Sequence, residues 1–215
     1  MNKKSVIGLV VGVIVIICVS VAALYFLNRP KDDSVNNQSN DNLNNLQEEA
    51  KVNSDKILVA YYSAQNHTKN VAEKIAQNLG ADIFEIIPQD IYTTEDLNWT
   101  ADGSRVNREH ENESLRDIAL VSTNVPNWED YDTILIGYPI WWGIAAWPID
   151  NFVKDNDFSG KTVIPFCTST SSGLGQSGEL LEQMANGGNW QTGHRFGSNA
   201  TDSEIKAWTD SIFDK

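Results

Sequence analysis

The chain has 215 residues, 41% of them hydrophobic, and a formal net charge of −13. That is enough for one globular domain with a full core and some accessory chain. The acidity argues against nucleic acid and anionic lipid head groups as partners, since like charge repels both, and favours cationic surfaces on protein partners.

The charge is uneven along the chain. Residues 1–53 carry five basic and five acidic side chains, whereas residues 54–215 carry eleven and twenty-four. Residues 1–28 read as a transmembrane anchor. Val6 to Leu27 holds no charge, and as a helix it would reach about 33 Å against roughly 30 Å of hydrocarbon. Lys3 and Lys4 precede it and favour a cytoplasmic N-terminus, which puts the rest of the chain on the extracytoplasmic side. Two rivals stay open: a secretory signal cleaved near Ser20-Val21-Ala22, and lipidation at Cys18, which Ile17 disfavours because a small residue is expected there. Residues 29–54 are rich in Asn, Ser, Asp and Gln with few large apolar residues, the composition of a flexible tether. Residues 55–215 form the folded domain.

Within that domain two periodicities alternate. Ile57 to Tyr62 reads as a buried strand, and Val71, Ile75 and Leu79 have helical spacing ended by Gly80. Ile83 to Ile87 is a second strand stopped by Pro88. A long polar connection follows, Gln89 to Asp130, with a helix expected in Asn107 to Val121. Thr133 to Tyr138 is the most apolar strand and is placed at the centre. Ile149, Phe152 and Val153 mark a helix, Lys161 to Cys167 a fourth strand, and Leu180, Leu181 and Met184 another helix. Trp190 to Phe196 carries a weak fifth strand. Ile205, Trp208 and Ile212 close the chain as a helix capped near Thr201 or Ser203. Alternating strands and helices, with strands apolar on both faces, predict an α/β fold around a doubly wound parallel sheet. Such sheets bind ligands beyond the carboxyl ends of their strands.

Three loops leave those ends. Ser63 to Thr68 joins the first strand to the first helix, and its hydroxyls and helix-start N–H groups suit a phosphate. Gly137 to Gly143 contains Trp141 and Trp142, two flat surfaces at the mouth of a sheet. Cys167 to Gly175 is a run of hydroxyl residues and glycines, through which backbone donors can approach a ring edge closely. Each loop alone has a bland explanation: a helix cap, packing aromatics, a surface loop. Together they describe a site for a phosphorylated, flat, polar heteroaromatic molecule.

Other motifs are weaker. Gly160-Lys161-Thr162 lacks the earlier glycine of a P-loop and precedes its strand. His67, His110 and His194 have no metal-ligand spacing. The Glu109 to Glu113 run reads as a solvated face.

Residues 56–215 resemble the flavodoxin family, in which the first loop reads YS-x-x-G-N-T and the second GYPIWWG. Here they read YYSAQNHT and GYPIWWGIAAWPIDNF, and PFCTSTSSGLGQS and NREHENE are also similar to that family. The resemblance implies five parallel strands and noncovalent FMN. The binding residues it implies are Ser63, Gln65, Asn66, His67 and Thr68 in the first loop. The second loop supplies Pro139, Ile140, Trp141, Trp142 and Gly143, and the third Thr168, Ser169, Thr170 and Gly173. Asn66 stands where the family has Gly and His67 where it has Asn. The function implied is a membrane-tethered electron carrier working with a redox protein or a small-molecule acceptor. The alternatives are an NAD(P)H-dependent quinone or flavin reductase and a flavin-free interaction module. The domain's acidity further predicts carboxylates near the flavin that oppose its reduction.

Overall fold

The computed structural model describes residues 56–213. The expected anchor and tether lie outside the described residues. Among the described residues, no helix is long and apolar enough to cross a membrane. The order of elements is β1 (Ile57–Tyr61), α1 (His67–Leu79), β2 (Asp82–Glu85), α2 (Arg105–Glu111), β3 (Thr133–Trp141), β4 (Ile144–Ala145), α3 (Pro148–Asp155), β5 (Thr162–Ser169), α4 (Ser177–Met184), β6 (Asn189–Trp190), β7 (His194–Gly197) and α5 (Asp202–Phe213).

The sheet runs β2-β1-β3-β5, with β6 and β7 sharing the far side of β5, and every one of these pairings is parallel. Side chains alternate across it, so each strand feeds two cores. Val59, Tyr61, Leu135 and Phe166 pack with Val71 and Ile75 of α1 and Ile205 of α5. Leu58, Ala60, Ile134, Ile136 and Val163 pack with Ile149 and Phe152 of α3 and Leu181 of α4. Covering both faces explains why these strands are apolar without alternation. Gly137 is the exception in β3. The Phe166 ring lies against it, and a Cβ there would fall 2.2 Å from Phe166 Cζ.

The caps follow the sequence. Gly80 ends α1 in the left-handed region at φ 62° and donates its N–H to Ala76 O. Thr201 caps α5 through a reciprocal pair: Glu204 N donates to Thr201 Oγ1 at 3.3 Å, and Thr201 N donates to Glu204 Oε2 at 2.7 Å.

The structure corrects three expectations. The helix of the long connection lies earlier and is shorter than Asn107 to Val121. It ends at Glu111 because Asn112 is extended and turns its side-chain oxygen to Ser114 N. The fifth strand is split in two. Gln191 N bonds Val163 O, so by the period of two Pro165 faces the same neighbour and has no N–H to give it. The ladder lapses there, and Gly193 crosses so close that a Cβ would lie 2.6 Å from Pro165 O. Finally, Glu109 is not on a solvated face. It is 4% exposed and accepts hydrogen bonds from Tyr92 Oη at 2.7 Å, Trp147 Nε1 at 2.6 Å and Arg105 Nε at 2.7 Å.

Lys161, set aside above as part of a P-loop, is buried and donates to the carbonyls of Trp128 and Tyr131 at 2.9 and 2.7 Å. Its charge is spent on chain closure. Cys167 is buried in β5, and burial pushes its thiol up to about 12, so it stays protonated at neutral pH.

Candidate functional site

The three loops after β1, β3 and β5 enclose a crevice of about 440 Å³ at the carboxyl edge of the sheet. The first loop contributes Ser63, Ala64, Gln65, His67 and Thr68. The second contributes Pro139, Ile140, Trp141 and Trp142, and the third Thr168, Ser169, Thr170, Ser171 and Ser172. Asn66, Gly143 and Gly173 are not among the lining residues; the first two shape the backbone that presents their neighbours.

Asn66 holds φ 64° with no capping bond from its side chain. It takes the left-handed turn that a glycine would otherwise take, as Asn does more readily than most residues. The first helical bond of α1 runs from Asn70 N to Asn66 O at 2.9 Å, leaving the N–H groups of His67, Thr68 and Lys69 ahead of the ladder. Thr68 and Thr168 are both buried, and their hydroxyl oxygens are 2.8 Å apart, joining the first loop to the third. One of the two protons is used in that bond; the other remains to be donated elsewhere. Ser63 Oγ is buried without a partner among the described residues. A buried hydroxyl left unpaired costs about 1–3 kcal/mol, and rotation about χ1 lets it reach an acceptor in the crevice.

The second loop is a hairpin rather than an open loop. The end of β3 pairs with β4, Ile140 with Ala145 and Trp141 with Ile144, around Trp142 and Gly143. Both turn residues have positive φ, 46° and 83°, the geometry of a two-residue hairpin with matching twist. For Trp that conformation is strained by roughly 1–2 kcal/mol. Its ring stacks on His110 at 4.4 Å and on Trp147 at 5.8 Å, contacts that offset the strain, and the residue remains 42% exposed. Trp141 instead turns into an aromatic cluster, edge-on to Tyr62, Tyr92 and Trp147.

Arg195 of β7 fixes the third loop. It donates to Ser169 Oγ at 3.0 Å and to the carbonyls of Ser169 and Thr170 at 2.8 and 3.0 Å. Ser169 Oγ also donates to Ser172 O. The loop's carbonyls therefore turn toward Arg195, and among the described residues no backbone bond occupies the N–H groups of Thr170, Ser171 or Ser172.

Four lining positions lie outside the three loops: Leu97, Trp99 and Val106 from the long connection, and Ser198 after β7. Trp99, 69% exposed, was the one with a signal, a lone Trp in a polar segment. Among the described residues, none that lines the crevice is Asp, Glu, Lys or Arg. Among the described residues no carboxylate lies in the crevice wall, and a cation, Arg195, backs the third loop. Opposition to reduction is left to carboxylates farther from the ring.

Among solved structures, a candidate flavoprotein from Bacteroides eggerthii DSM 20697 shares 38% identity at a TM-score of 0.66, covering 74% of this chain and 99% of that one. Another from Bacteroides uniformis ATCC 8492 shares 36% at 0.66, with the same coverage of 74% and 99%. A flavoprotein from Lactobacillus acidophilus NCFM, solved in complex with FMN, shares 24% at 0.52 over 73% of this chain and 99% of that one, a likeness of fold. No curated protein matches the chain. A family model for flavodoxin matches residues 56–212, from the start of β1 to the last turn of α5. The sheet, its two helical layers and all three crevice loops fall inside that match, and the chain belongs to the flavodoxin family.

Proposed function

We propose that the domain binds FMN in this crevice and carries electrons, and that residues 1–28 hold it at the extracytoplasmic face of the membrane. One observation carries the FMN assignment: the crevice is lined by two chemically distinct sets of groups. One set is the hydroxyls of Ser63 and Thr68 with the backbone N–H groups at the N-terminus of α1. The other set is Trp99 and Trp142, both exposed aromatic residues. The unpaired Ser63 Oγ fits a phosphate oxygen, and the volume lies within the range of ligand clefts, about 300–1,000 Å³. Bound FMN supplies the redox chemistry, taking up and releasing electrons through its ring. The chain's part is to hold the phosphate, to cover a ring face with indole, and to keep the third loop's N–H groups turned inward by the Arg195 clamp.

The purified full chain is expected to bind FMN more tightly than riboflavin, since the first loop gains its contacts only through the phosphate. Charge-assisted bonds from two or more donors are worth about 1.5–3 kcal/mol each, so tenfold or more is expected. Calorimetric titration with the two ligands is the test, and equal affinities would remove the assigned role of Ser63 and Thr68.

The membrane assignment rests on the uncharged stretch Val6 to Leu27 with Lys3 and Lys4 before it. The chain is expected to stay with membranes through a carbonate wash and to be digested by protease added outside intact spheroplasts. Release by carbonate, or protection from protease, would refute the anchor or its orientation.

A further inference from the structure

Resting on the FMN assignment above, we propose that His67 is the ionisable phosphate ligand of this crevice: its imidazole takes up a proton when the phosphate binds and so makes FMN affinity pH-dependent. Three observations lead there. Among the described residues that line the crevice, His67 alone can carry a positive charge. It is the first residue of α1, next to Thr68, and lines the crevice together with Ser63 and Thr68, the hydroxyl residues assigned to phosphate. Its tautomer is also set. Nδ1 lies 3.2 Å from Ser198 O, and a carbonyl only accepts, so Nδ1 bears the hydrogen. Nε2 has no hydrogen-bond partner among the described residues and is the nitrogen left to receive a proton.

A dianion beside an imidazole favours its protonated form, and histidine is the side chain whose charge changes between about pH 5 and 8. The Ser198 contact therefore acts as a positioning strut. It anchors one ring nitrogen to the β7–α5 connection and leaves the other for the ligand. Charges on the elements packed around this turn are already engaged. Lys69 donates to Glu85, Lys74 to Asp202 and Arg195 to the third-loop carbonyls. Glu204 accepts from Thr201, and His194 packs against Phe196 and Trp208, where burial holds its pKa down. His67 is thus the group left to answer the phosphate. The sign follows: protonated His67 strengthens binding, so FMN affinity is greatest on the acid side and falls as pH rises through the imidazolium pKa of the complex.

The test uses the full chain in detergent micelles and titrates FMN and riboflavin calorimetrically at pH 6.5 and 8.5. Wild type is expected to lose about tenfold in FMN affinity over that range, the worth of one charge-assisted hydrogen bond, while riboflavin affinity stays flat. His67→Asn, which retains the phosphate's own titration, is expected to show no loss of FMN affinity as pH rises over this range and to stay close to the wild-type value at pH 8.5. Titrations at pH 7.5 in buffers of different ionisation heat should show net proton uptake for wild type and none for the variant. The same pH profile and the same uptake in both proteins would overturn the proposal and leave the phosphate to neutral donors. Wild type that binds FMN no better than riboflavin at any pH would remove the FMN assignment beneath it, a different and separable result. Should His67→Asn misfold by circular dichroism, an NMR titration of the wild-type His67 imidazole decides. An imidazole that gains no proton on adding FMN refutes the proposal.

Discussion

Replacing Glu109 with Ala is expected to lower the unfolding free energy by about 3–5 kcal/mol, the cost of removing one member of a buried ion pair. That is a large part of the roughly 5–15 kcal/mol a domain of this size possesses. As a polar partner Arg105 would keep only Asp90, whose carbonyl and carboxylate its guanidinium meets at 2.9 and 3.3 Å, while Tyr92 Oη and Trp147 Nε1 would be left unpaired. The isosteric change to Gln is informative too. All three partners approach as donors, and Arg and Trp have no acceptor to offer in exchange. Only a carboxylate accepts at both oxygens, so the amide of Gln must point its NH₂ at Arg105 or Trp147. A cost of about 1–3 kcal/mol is expected for that unsatisfied donor. Urea unfolding of the three proteins checks the order wild type, Gln, Ala; a Gln variant as stable as wild type would show that the network tolerates a neutral centre. The effect reaches the site as well. Glu109 fastens α2, whose Val106 lines the crevice and whose His110 stacks on Trp142. Loosened packing there should also weaken ligand binding.

Gly137→Ala is expected to destabilise the domain by about 3 kcal/mol, the upper part of the overpacking range. The added methyl would meet three carbon atoms of the Phe166 ring, at 2.2, 2.6 and 2.9 Å. The ring cannot retreat freely, because Phe196 and Trp208 pack against it at 6.4 and 6.1 Å between centroids. Gly137 sits in β3 between β1 and β5, paired with Tyr61 and Phe166. A displaced Phe166 would therefore shift the strand that leads into the third loop. Pairing the change with Phe166→Leu should recover part of the loss by making room. Thermal unfolding of single and double variants measures this, and a Gly137→Ala protein with wild-type stability would show that the ring has somewhere to go.

The parts of this fold legible from sequence are those with one local cause. Ile57 to Tyr62 and Thr133 to Tyr138 are apolar because both faces are buried, and Gly80 ends its helix by its own backbone freedom. The convergence of the three loops followed from the parallel sheet itself. What could not be read has partners far along the chain. Glu109 looks solvated among Arg108, His110 and Glu111, and its burial depends on Tyr92 and Trp147, 17 and 38 residues away. The hairpin at Trp142 was hidden because a bulky aromatic is a poor local signal for positive φ. Its cost is met by stacking on His110 and Trp147. Ser198 joins the site through a single carbonyl, which no side-chain pattern could announce. The lapse of the fifth strand had a visible cause in Pro165, but its effect falls on a neighbouring strand some 25 residues later.

That lapse bears on how the domain behaves in the company of its own copies. A sheet's outer strands present rows of unsatisfied N–H and C=O groups, a template for another chain. Here one margin is two fragments, of two and four residues, divided at Pro165 and Gly193. The opposite margin, β2, is only four residues long and begins and ends in Asp82 and Glu85, whose carboxylates face Lys56 and Lys69. Neither margin offers an uninterrupted apolar register along which a second molecule could extend the sheet. The same proline that weakens the last strand thus guards the folded domain against edge-to-edge assembly, a protection that would matter most where many copies are crowded together on one surface.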